Sequence, residues 1–580
     1  MTMKRIAVII MMVSACITMR AQTRYAPFRP LPNENQLRWQ DMEMYAFIHY
    51  SLNTYTDQEW GFGNEDLKLF NPSDLDCRQW ARVCKQAGMK GIIFTAKHHC
   101  GFCMWPSAYT EYSVKNTPWK NGKGDVVREL ADACREEGLK FAVYLSPWDR
   151  NHKDYGRPEY VTYFRNQLRE LLTNYGEIFE VWFDGANGGD GRYGGANETR
   201  KIDGKTYYGW AETFRMIREL QPKAVIWNDG GDRGDLRWVG TEAGNVGETN
   251  WSLMPSKGDT PWHMLHYGVE DGDVWCPGET NTSIRPGWFY HETENEHVKS
   301  LSKLMDTYYK SVGRNSTLLL NLPIAPNGRI HPNDSLRGIA FKKMIDEVFK
   351  TNLVEKAKIQ TKASETIIDF GKPTVFNRFL AEEDIALGQR VKKFTLEALV
   401  DGKWQSLKDA LVEDGKDGLT TIGHRRIICF PTVKATQLRF TITDAKAEPI
   451  IKKMGVYLAP ELNADIPNSG EKKSSGLHIF FSSPTQMMID WDKEQTITSF
   501  RYLPPHNTKD GTITHYTLWA SSDWSNWTKL ASGEFSNIVN NPIWQTIKFP
   551  ATKARILKFD AERLAAGERM AFGDIEVVTE

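Results

Sequence analysis

At 580 residues the chain is too long for one domain, and a prior of about 150 residues per domain predicts two to four domains. The charges balance, with 73 Lys plus Arg against 73 Asp plus Glu, which gives no electrostatic basis for binding nucleic acid or an anionic membrane surface. The 20 Trp residues fit large cores and also protein surfaces that stack against sugar rings.

The N-terminus has the pattern of an export signal. A basic start, an apolar run over 6–13 and small residues after it predict a secretory signal peptide over residues 1–21. The residues before Cys16 also fit a lipoprotein signal, in which Cys16 carries the lipid. No later stretch reaches about 18 apolar residues, so no transmembrane helix is predicted. We therefore expect a secreted or periplasmic protein.

Residues 22–353 alternate short apolar runs with amphipathic helical patterns. The apolar runs, which we interpret as strands, are 44–50, 91–97, 141–146, 180–185, 224–229, 238–242, 274–279 and 317–322. The helical patterns are 76–87, 125–137, 159–175, 210–220 and 295–312. This alternation predicts a (β/α)8-type barrel of parallel strands. Helices are poorly marked between the fifth and seventh runs, so we expect an irregular barrel there.

Beyond residue 353 the pattern changes to short alternating strands separated by turn signals. Residues 354–460 predict a β-sandwich, residues 461–476 a polar linker, and residues 477–580 a second β-sandwich. The predicted fold class is therefore α/β, with a barrel followed by two β-sandwich domains.

Polar side chains stand at the ends of the predicted barrel strands. They are His49, His98, His99, Tyr144, Asp184, Asn228, Asp229, Glu242 and Glu279. The carboxyl ends of the strands meet at the face that carries the active site in barrel enzymes. Asp184 is central, because it ends the alternating run Val181–Phe183. The alternative is a strand-ending Asp that only caps the next turn.

Several kinds of chemistry lack their motifs in this sequence. His98 and His99 come without HExxH or comparable spacing, so we expect no metal at the site. The sequence has neither a Gly-rich phosphate loop nor a GxSxG elbow, which disfavours nucleotide binding and serine hydrolysis. The remaining mixture of carboxylates, neutral hydrogen-bonding groups and aromatic rings suits sugar hydrolysis. There one carboxylate faces the anomeric carbon and a second carboxyl of raised pKa protonates the leaving oxygen.

Five motifs occur in order along the chain. They are His49-Tyr50-Ser51, Glu59-Trp60, Lys97-His98-His99-Cys100-Gly101-Phe102, Tyr144-Leu145-Ser146-Pro147-Trp148 and Trp182-Phe183-Asp184-Gly185. Together they resemble the family 29 α-L-fucosidases, over residues 30–460. The resemblance implies a retaining exo-enzyme with Asp184 as its nucleophile, and we expect no cofactor for catalysis. It also implies a fucose pocket lined by His49, Glu59, Trp60, His98, His99, Tyr144 and Trp182. Cys100 departs from the common form, which has Asp there.

The segment Trp238–Gly244 resembles the part of the chain that carries the acid/base in one branch of this family, which prefers α-1,3 and α-1,4 fucosyl linkages. The resemblance implies Glu242 as the acid/base, with Thr241 where the usual form has Asn. Glu248 and Glu279 are the alternatives.

A second segment, Ser283–His291, resembles the same branch. It adds Arg285 and Trp288 as residues of the pocket. The branch implies Lewis-type substrates, that is, fucosylated oligosaccharides or glycoconjugates.

The last domain has its own resemblance. Tyr516–Trp527 and Ala554–Phe559 are similar to discoidin-like modules, as found in family 32 carbohydrate-binding modules, with Trp524 where the usual form has Gly. Such modules often bind sugar and a structural calcium ion, and the resemblance implies these two ligands on an equal footing with a purely structural sandwich.

Two other functions stay open at this point. One is a fucosidase of broad specificity, or a relative that acts on a fucose-like sugar such as L-galactose. The other is a catalytically inactive, lectin-like protein. The presence of both Asp184 and Glu242 argues against the second.

Overall fold

Eight parallel strands form a barrel in the described part of a computed structural model, which covers residues 25–258, 260–412, 415–460, 478–505 and 508–579. The predicted signal peptide (1–21), Cys16 and the predicted linker (461–476) lie outside these residues. Within them, no helix is both long enough and apolar enough to span a membrane.

The strands that precede the two sandwiches belong to three different sheets. In chain order they are β1 (Met44–Ile48), β2 (Gly91–Lys97), β3 (Lys140–Leu145), β4 (Ile178–Phe183), β5 (Gly188–Gly191), β6 (Glu198–Lys201), β7 (Val225–Asn228), β8 (Arg237–Trp238), β9 (Leu253–Met254), β10 (Val274–Trp275), β11 (Gly278–Ser283) and β12 (Thr317–Asn321). The barrel has the order β7-β4-β3-β2-β1-β12-β11-β8. β5 pairs with β6, and β9 pairs with β10.

The barrel strands are buried along nearly their whole length. β1, β2 and β4 are buried at every residue, as expected for parallel strands covered on both faces. A single parallel bridge between Trp227 and Leu236 closes the ring between β7 and β8, and no helix lies in that short connection. The expected barrel and its irregular region are therefore confirmed.

One predicted strand is wrong. Residues 274–279 were expected to form the seventh barrel strand, but Val274 and Trp275 pair antiparallel with β9, and the barrel strand is β11. The apolar run misleads because β11 has the polar sequence Gly-Glu-Thr-Asn-Thr-Ser and is nevertheless buried throughout. Partners such as Ser316, whose hydroxyl lies 2.8 Å from that of Thr280, satisfy its side chains.

Side-chain caps start several of the helices around the barrel. The helices are α1 (Glu34–Gln40), α2 (Asn53–Thr56), α3 (Cys77–Gln86), α4 (Val126–Glu137), α5 (Pro158–Asn174), α6 (Gly204–Tyr207), α7 (Trp210–Leu220), α8 (Trp262–Tyr267), α9 (Leu301–Lys310) and α10 (Pro332–Phe349). Asp76 and Asp125 cap α3 and α4 by accepting hydrogen bonds from backbone amides. The helix expected over 295–312 is shorter, because Ser300 caps α9 and starts it later.

The two sandwiches share one strand connectivity. Their strands are β13 (Lys358–Lys362), β14 (Glu365–Glu383), β15 (Val391–Val400), β16 (Lys403–Leu407), β17 (Arg426–Ala445), β18 (Ile451–Tyr457), β19 (His478–Ser483), β20 (Gln486–Leu503), β21 (Ile513–Ser521), β22 (Thr528–Glu534), β23 (Gln545–Leu564) and β24 (Asp574–Thr579). The first has the order β13-β14-β17-β15-β16 with β18 on β14, and the second repeats it as β19-β20-β23-β21-β22 with β24 on β20. Each sandwich has its own apolar core.

The second sandwich also touches the barrel. The Glu59 amide donates a 2.6 Å hydrogen bond to Glu534, and the Lys299 ammonium donates one of 2.8 Å to Asn541 Oδ1. Glu59 belongs to the loop after β1, so the contact lies on the face where the barrel strands end.

Candidate functional site

A cavity of about 90 Å³ opens at the carboxyl ends of the barrel strands. The predicted site residues that line it are His49, Glu59, Trp60, His98, His99, Tyr144, Trp182, Asp184, Glu242 and Trp288. Phe47 and Asn281 add to this lining. Pockets for drug-sized ligands measure about 300–1,000 Å³, so this cavity suits one small ring rather than a chain of rings.

Asp184 follows β4 directly and is held by two hydrogen bonds. Its Oδ1 accepts from the Ala186 amide at 2.8 Å, and its Oδ2 accepts from the Tyr144 hydroxyl at 3.1 Å. The Ala186 contact is the turn-capping bond that the sequence alternative foresaw. The side chain is nevertheless 27% exposed and lines the cavity, so capping leaves this carboxylate available to a ligand.

His99 and Asp184 face each other across a gap. His99 Nε2 lies 3.9 Å from Asp184 Oδ2, which is too long for a direct hydrogen bond. His99 Nδ1 lies 2.7 Å from the Ser146 hydroxyl, whose own hydrogen is donated to the Trp148 carbonyl. Nδ1 is therefore the donor and Nε2 an acceptor. A ligand hydroxyl placed between these two acceptors would donate its one hydrogen to one of them.

The three imidazoles of the cavity are neutral near neutral pH. Burial lowers the pKa of His49 to about 3 and that of His99 to about 4. Burial and the neighbouring His99 lower the pKa of His98 well below its usual value. The site therefore offers hydrogen bonds without positive charge, which suits neutral hydroxyl groups better than anions.

Asn321 fixes the orientation of the His49 ring, and Asn321 was not predicted as a site residue from the sequence. His49 Nδ1 lies 2.8 Å from Asn321 Oδ1, and the amide nitrogen of Asn321 donates to Ser283 and to the Trp288 carbonyl. These donations fix the orientation of the Asn321 amide, so His49 Nδ1 must carry the hydrogen. His49 Nε2 is left as an acceptor for a ligand hydroxyl.

Two buried polar atoms beside the cavity lack a protein partner among the described residues. They are His98 Nδ1 and Asn281 Oδ1. Buried polar groups without a hydrogen-bond partner are rare, and a bound ligand or water accounts for those that occur. Both atoms are therefore candidates for contact with a polar ligand.

Glu242 is partly buried and receives two hydrogen bonds on one oxygen. Its Oε2 accepts from Trp288 Nε1 at 3.1 Å and from Asn540 Nδ2, in the second sandwich, at 3.0 Å. Burial raises the pKa of Glu242 to about 7; the Trp288 hydrogen bond lowers it in part, and the charge of Asp184 raises it. Glu242 therefore holds a proton up to near neutral pH.

Glu59 joins two loops while it lines the cavity. Its carboxylate accepts from the Trp288 and Phe289 amides at 3.0 Å each and from His291 Nε2 at 2.8 Å. Burial lowers the pKa of His291, but hydrogen bonds to Asp57 and Glu59 outweigh it and raise this pKa well above its usual value. Glu59 is thus committed largely to holding the loop that carries Trp288.

Aromatic rings form the apolar wall. Trp182 stacks on Trp227, with ring centroids 3.7 Å apart and an angle of 6° between the ring planes. Tyr144 also stacks against Trp182, with ring centroids 5.1 Å apart. Trp60 stands edge-on to His99 at 5.1 Å and keeps 51% of its surface exposed. An exposed indole at the mouth of a small polar cavity suits the apolar face of a sugar.

Both alternatives to Glu242 lie outside the cavity lining. Glu279 is fully buried and accepts hydrogen bonds from Trp182 Nε1 at 2.9 Å and from the Tyr45 hydroxyl at 2.5 Å. Glu248 pairs with Lys416 of the first sandwich at 2.9 Å. The geometry therefore gives neither a route to a ligand, and Glu279 instead fixes the ring of Trp182.

Arg285 also lies outside the lining, which corrects its assignment as a pocket residue. It is fully buried, and its Nε contacts both oxygens of the equally buried Asp334 at 3.0 and 2.9 Å. A guanidinium held in this way stabilises the loop behind Trp288 and does not reach a ligand.

Asn228 and Asp229, at the tip of β7, do not line the cavity either. Asn228 holds its own turn by accepting from the Gly230 amide. Burial and the charge of Asp184 raise the pKa of Asp229 to about 7. Asp229 is thus close enough to Asp184 to sense its charge, but it is screened from the cavity.

A Gly-rich insertion over 185–207 follows β4 beside the site. It contains the β5–β6 hairpin, and Arg150 ties it to the loop of Trp60 by donating to Asp190 and to the Trp60 and Gly61 carbonyls. It supports the wall of the cavity without adding a lining residue of its own.

The described cysteines are all free and buried, including Cys100 and Cys103. Among the residues that the structure describes, no group of three His, Cys, Asp or Glu side chains is arranged to hold a metal ion. In the second sandwich the Asp523 carboxylate accepts hydrogen bonds from the amides of Ser525 and Asn526. Calcium in this domain stays a prediction without a supporting cluster.

Three further residues at the site were not predicted from the sequence, and they differ in how far the sequence indicated them. Phe47 alternates with His49 and could have been included from the strand period alone. Asn281 was hidden because the strand that carries it was placed four residues too early. Asn540 lies 298 residues from Glu242 along the chain, and its segment shows no motif.

Comparisons with known proteins identify two families along the chain. The family model described as "Alpha-L-fucosidase" matches residues 25–340, and the "F5/8 type C domain" model matches residues 472–572. The chain is 38% identical over 471 residues to Alpha-L-fucosidase 1 of Arabidopsis thaliana, covering 74% of this chain and 88% of the relative.

Solved structures extend the likeness to the whole chain. A crystal structure of a glycoside hydrolase 29 family member from an unknown rumen bacterium is 82% identical, with a TM-score of 0.76, and covers 96% of this chain and 100% of its own. A putative α-L-fucosidase from Bacteroides ovatus is 40% identical, with a TM-score of 0.67, and covers 95% of this chain and 96% of its own.

Proposed function

The chain belongs to glycoside hydrolase family 29, the α-L-fucosidases, and on that premise we propose that it is a retaining exo-fucosidase that releases terminal α-1,3- or α-1,4-linked fucose from Lewis-type glycans. The premise makes it a glycoside hydrolase. The mechanism, the roles of the residues and the linkage are the proposal.

The observation that carries the proposal is the pairing of Asp184 and Glu242 in one small cavity. Asp184 is held by two hydrogen bonds to its oxygens, which orient its side chain in the cavity. Glu242 has its pKa raised to about 7, which favours the acid form. Glycoside hydrolysis requires such a pair, in which one carboxyl group is kept protonated as the acid and the other faces the anomeric carbon.

In the first step Asp184 attacks the anomeric carbon of fucose while Glu242 gives its proton to the leaving oxygen. The bond from the anomeric carbon to that oxygen breaks, and a fucosyl ester of Asp184 forms. The neutral imidazoles of His49, His98 and His99 bind ring hydroxyls without opposing the positive charge that develops on the sugar.

In the second step water replaces the released saccharide. Glu242, now a carboxylate, takes a proton from the water, and the oxygen of this water attacks the anomeric carbon. Asp184 leaves as a carboxylate, fucose departs with its original configuration, and Glu242 regains its proton. The small cavity supports exo action, because it has room for one terminal ring.

The preference for Lewis-type linkages rests on sequence resemblance in two segments. These are Trp238–Gly244, which carries Glu242, and Ser283–His291, which carries Trp288. The hydrogen bond between Trp288 and Glu242 supports treating the two segments as one unit of the site. Export from the cytoplasm, proposed from residues 1–21, is checked by the N-terminal residue of the mature protein.

The assignment of Asp184 is tested by fucose release from an aryl α-L-fucoside. The wild-type protein should release fucose, and Asp184→Ala should lose several orders of magnitude in turnover. Azide should restore activity in the variant and yield a fucosyl azide of inverted configuration. Full activity of Asp184→Ala would refute the nucleophile assignment, and no release by the wild-type protein would refute the activity.

The linkage is tested by the products from matched trisaccharides. Lewis trisaccharides with α-1,3 or α-1,4 fucose should be cleaved, and a trisaccharide of similar size with α-1,2 fucose should be left intact. Equal release from both kinds would reject the narrow specificity and favour a broad α-L-fucosidase.

A further inference from the structure

The second sandwich reaches the proposed acid/base through one loop, residues 534–541, which we call the bridging loop. Asn540 Nδ2 in this loop donates a 3.0 Å hydrogen bond to Glu242 Oε2. The same oxygen accepts from Trp288 Nε1 of the barrel at 3.1 Å. One donor from each domain therefore converges on one carboxyl oxygen.

This arrangement determines where the proton of Glu242 lies. A carboxyl oxygen that accepts two hydrogen bonds is a poor position for the acidic hydrogen, since the hydrogen would face the two donors. The proton is therefore directed to Oε1, the other oxygen. An acid/base in glycoside hydrolysis must aim this hydrogen at the leaving oxygen, so the two donors orient the reacting group.

The bridging loop is built to present Asn540. Asn540 Nδ2 also donates to Asn537 Oδ1 at 2.8 Å, so the second hydrogen of the amide is committed as well. Asn537 has a φ of 45°, in the left-handed region that Asn tolerates better than most residues. Its carbonyl accepts from the Asn540 and Asn541 amides and closes the turn.

The same loop is anchored to the barrel on both sides of Asn540. Glu534 accepts from the Glu59 amide at 2.6 Å. Asn541, which is buried, accepts from the Lys299 ammonium at 2.8 Å and donates to the Pro286 carbonyl at 3.3 Å. The barrel loops held in this way carry Trp60 and Trp288, two residues of the cavity wall.

We propose that Asn540 is a positioning residue for Glu242 and that the bridging loop makes the second sandwich part of the leaving-group side of the active site. This inference rests on the proposed function, because it assumes that Glu242 protonates the leaving oxygen. The partner of this surface is the saccharide to which fucose is attached, since whatever holds the acid lies beside the departing group. A module that only tethers the enzyme to glycans would have no need of this contact.

The test compares Asn540→Ala with the matched control Asn526→Ala in the full-length protein. Asn526 belongs to the same sandwich and also donates to a carboxylate, that of Asp523, but it has no contact with the barrel site. A dinitrophenyl α-L-fucoside, whose leaving group needs little acid assistance, is compared with a fucosylated trisaccharide. Thermal unfolding verifies that each variant is folded.

We expect Asn540→Ala to lower kcat/KM on the trisaccharide by roughly tenfold or more, the loss typical of one hydrogen bond to a charged group. On the dinitrophenyl fucoside it should stay within about threefold of the wild-type value. The bridging loop lowers the pKa of Glu242 through the Asn537 side chain, which Asn540 holds by its hydrogen bond to Asn537 Oδ1, so Asn540→Ala should also move the basic limb of the pH profile to higher pH. Asn540→Asp should give a larger loss on the trisaccharide, because it adds a like charge beside Glu242.

The inference is overturned if Asn540→Ala and Asn526→Ala give the same ratio of kcat/KM for the two substrates and the same basic limb. Hydrogen exchange provides a readout that is independent of turnover. Exchange in the segments 238–244 and 286–291 should rise in Asn540→Ala and not in Asn526→Ala, and unchanged exchange also overturns the inference. If the wild-type enzyme is active and the Asn540 variants behave like it, only this inference is refuted. If the wild-type protein releases no fucose, the proposed function is refuted.

Discussion

The hydroxyl of Tyr144 donates a 3.1 Å hydrogen bond to Oδ2 of Asp184. Tyr144 is almost fully buried, and burial together with the charge of Asp184 raises the pKa of this tyrosine well above its usual value. The phenol therefore stays protonated near neutral pH and donates this hydrogen bond to the carboxylate.

Tyr144→Phe should lower kcat/KM on an aryl α-L-fucoside by roughly tenfold or more, because it removes a hydrogen bond to a charged group and keeps the ring that stacks on Trp182. The matched control is Tyr112→Phe, which removes a 2.7 Å hydrogen bond to the carboxylate of Glu65 outside the cavity. The control should keep wild-type activity. Equal activity of the two variants would show that the Tyr144 contact contributes nothing to the reaction.

Glu242→Gln should remove the loss of activity that occurs as pH rises through about 7. The wild-type protein needs the protonated acid, and burial raises the pKa of Glu242 to about 7, so its activity should fall above that pH. A glutamine has no titrating proton. The variant should therefore be slow on oligosaccharides and, on an aryl fucoside whose leaving group still needs acid assistance, should show no basic limb near pH 7, where the wild-type protein shows one.

Glu248→Gln is the control for this experiment. Glu248 pairs with Lys416 outside the cavity, so this variant should keep both its activity and its basic limb. If Glu248→Gln lost the limb and Glu242→Gln kept it, the acid/base assignment would pass to Glu248.

Much of the site could be predicted because parallel barrels bring the ends of their strands together. His49, His98, Tyr144 and Asp184 follow apolar runs, and period and topology alone place such residues on one face. The structure brings these four to a single cavity. Local sequence was sufficient here because each residue is adjacent to the strand that positions it.

The rest could not be predicted, since it depends on contacts between distant segments. The strand β11 is polar and is buried because of its neighbours. Its sequence has no apolar run, so the strand was predicted four residues too early and Asn281 was not recognised as a site residue. Arg285 looked like a ligand-binding group until its buried partner Asp334 was known. Asn540 acts across two domains, and neither segment alone indicates this contact.

Arg285→Ala should lower the free energy of unfolding by about 3–5 kcal/mol, because it leaves the carboxylate of Asp334 buried without its partner. Since Arg285 does not line the cavity, the ratio of kcat/KM for the trisaccharide to that for the dinitrophenyl fucoside should change little.

The control is Arg329→Ala. Arg329 pairs with the exposed Asp74, and its loss should cost about 1 kcal/mol or less. Denaturant unfolding measures both, and equal losses would contradict a stabilising role for the buried pair.

The buried carboxyl groups of Glu180 and Glu279 should make the protein less stable as pH rises. Both are fully buried; Glu180 accepts from Trp39 Nε1 at 2.9 Å and Glu279 from Trp182 Nε1 at the same distance. Burial and the neighbouring Glu279 raise the pKa of Glu180 well above its ordinary value of 4.5, and burial raises that of Glu279. Above pH 4.5 the folded chain therefore binds more protons than the unfolded chain, and the free energy of unfolding falls as pH rises through this window.

Glu180→Gln should reduce this slope, because a fixed amide hydrogen replaces the proton that the carboxyl must otherwise lose. Urea unfolding at several values between about pH 5 and 8 measures the slope in the wild-type protein and the variant. Glu177→Gln is the control, since Glu177 lies three positions away, is exposed and pairs with Lys223. The variant Glu177→Gln should keep the wild-type slope. An unchanged slope in Glu180→Gln would mean that this buried carboxyl does not titrate between the folded and unfolded states.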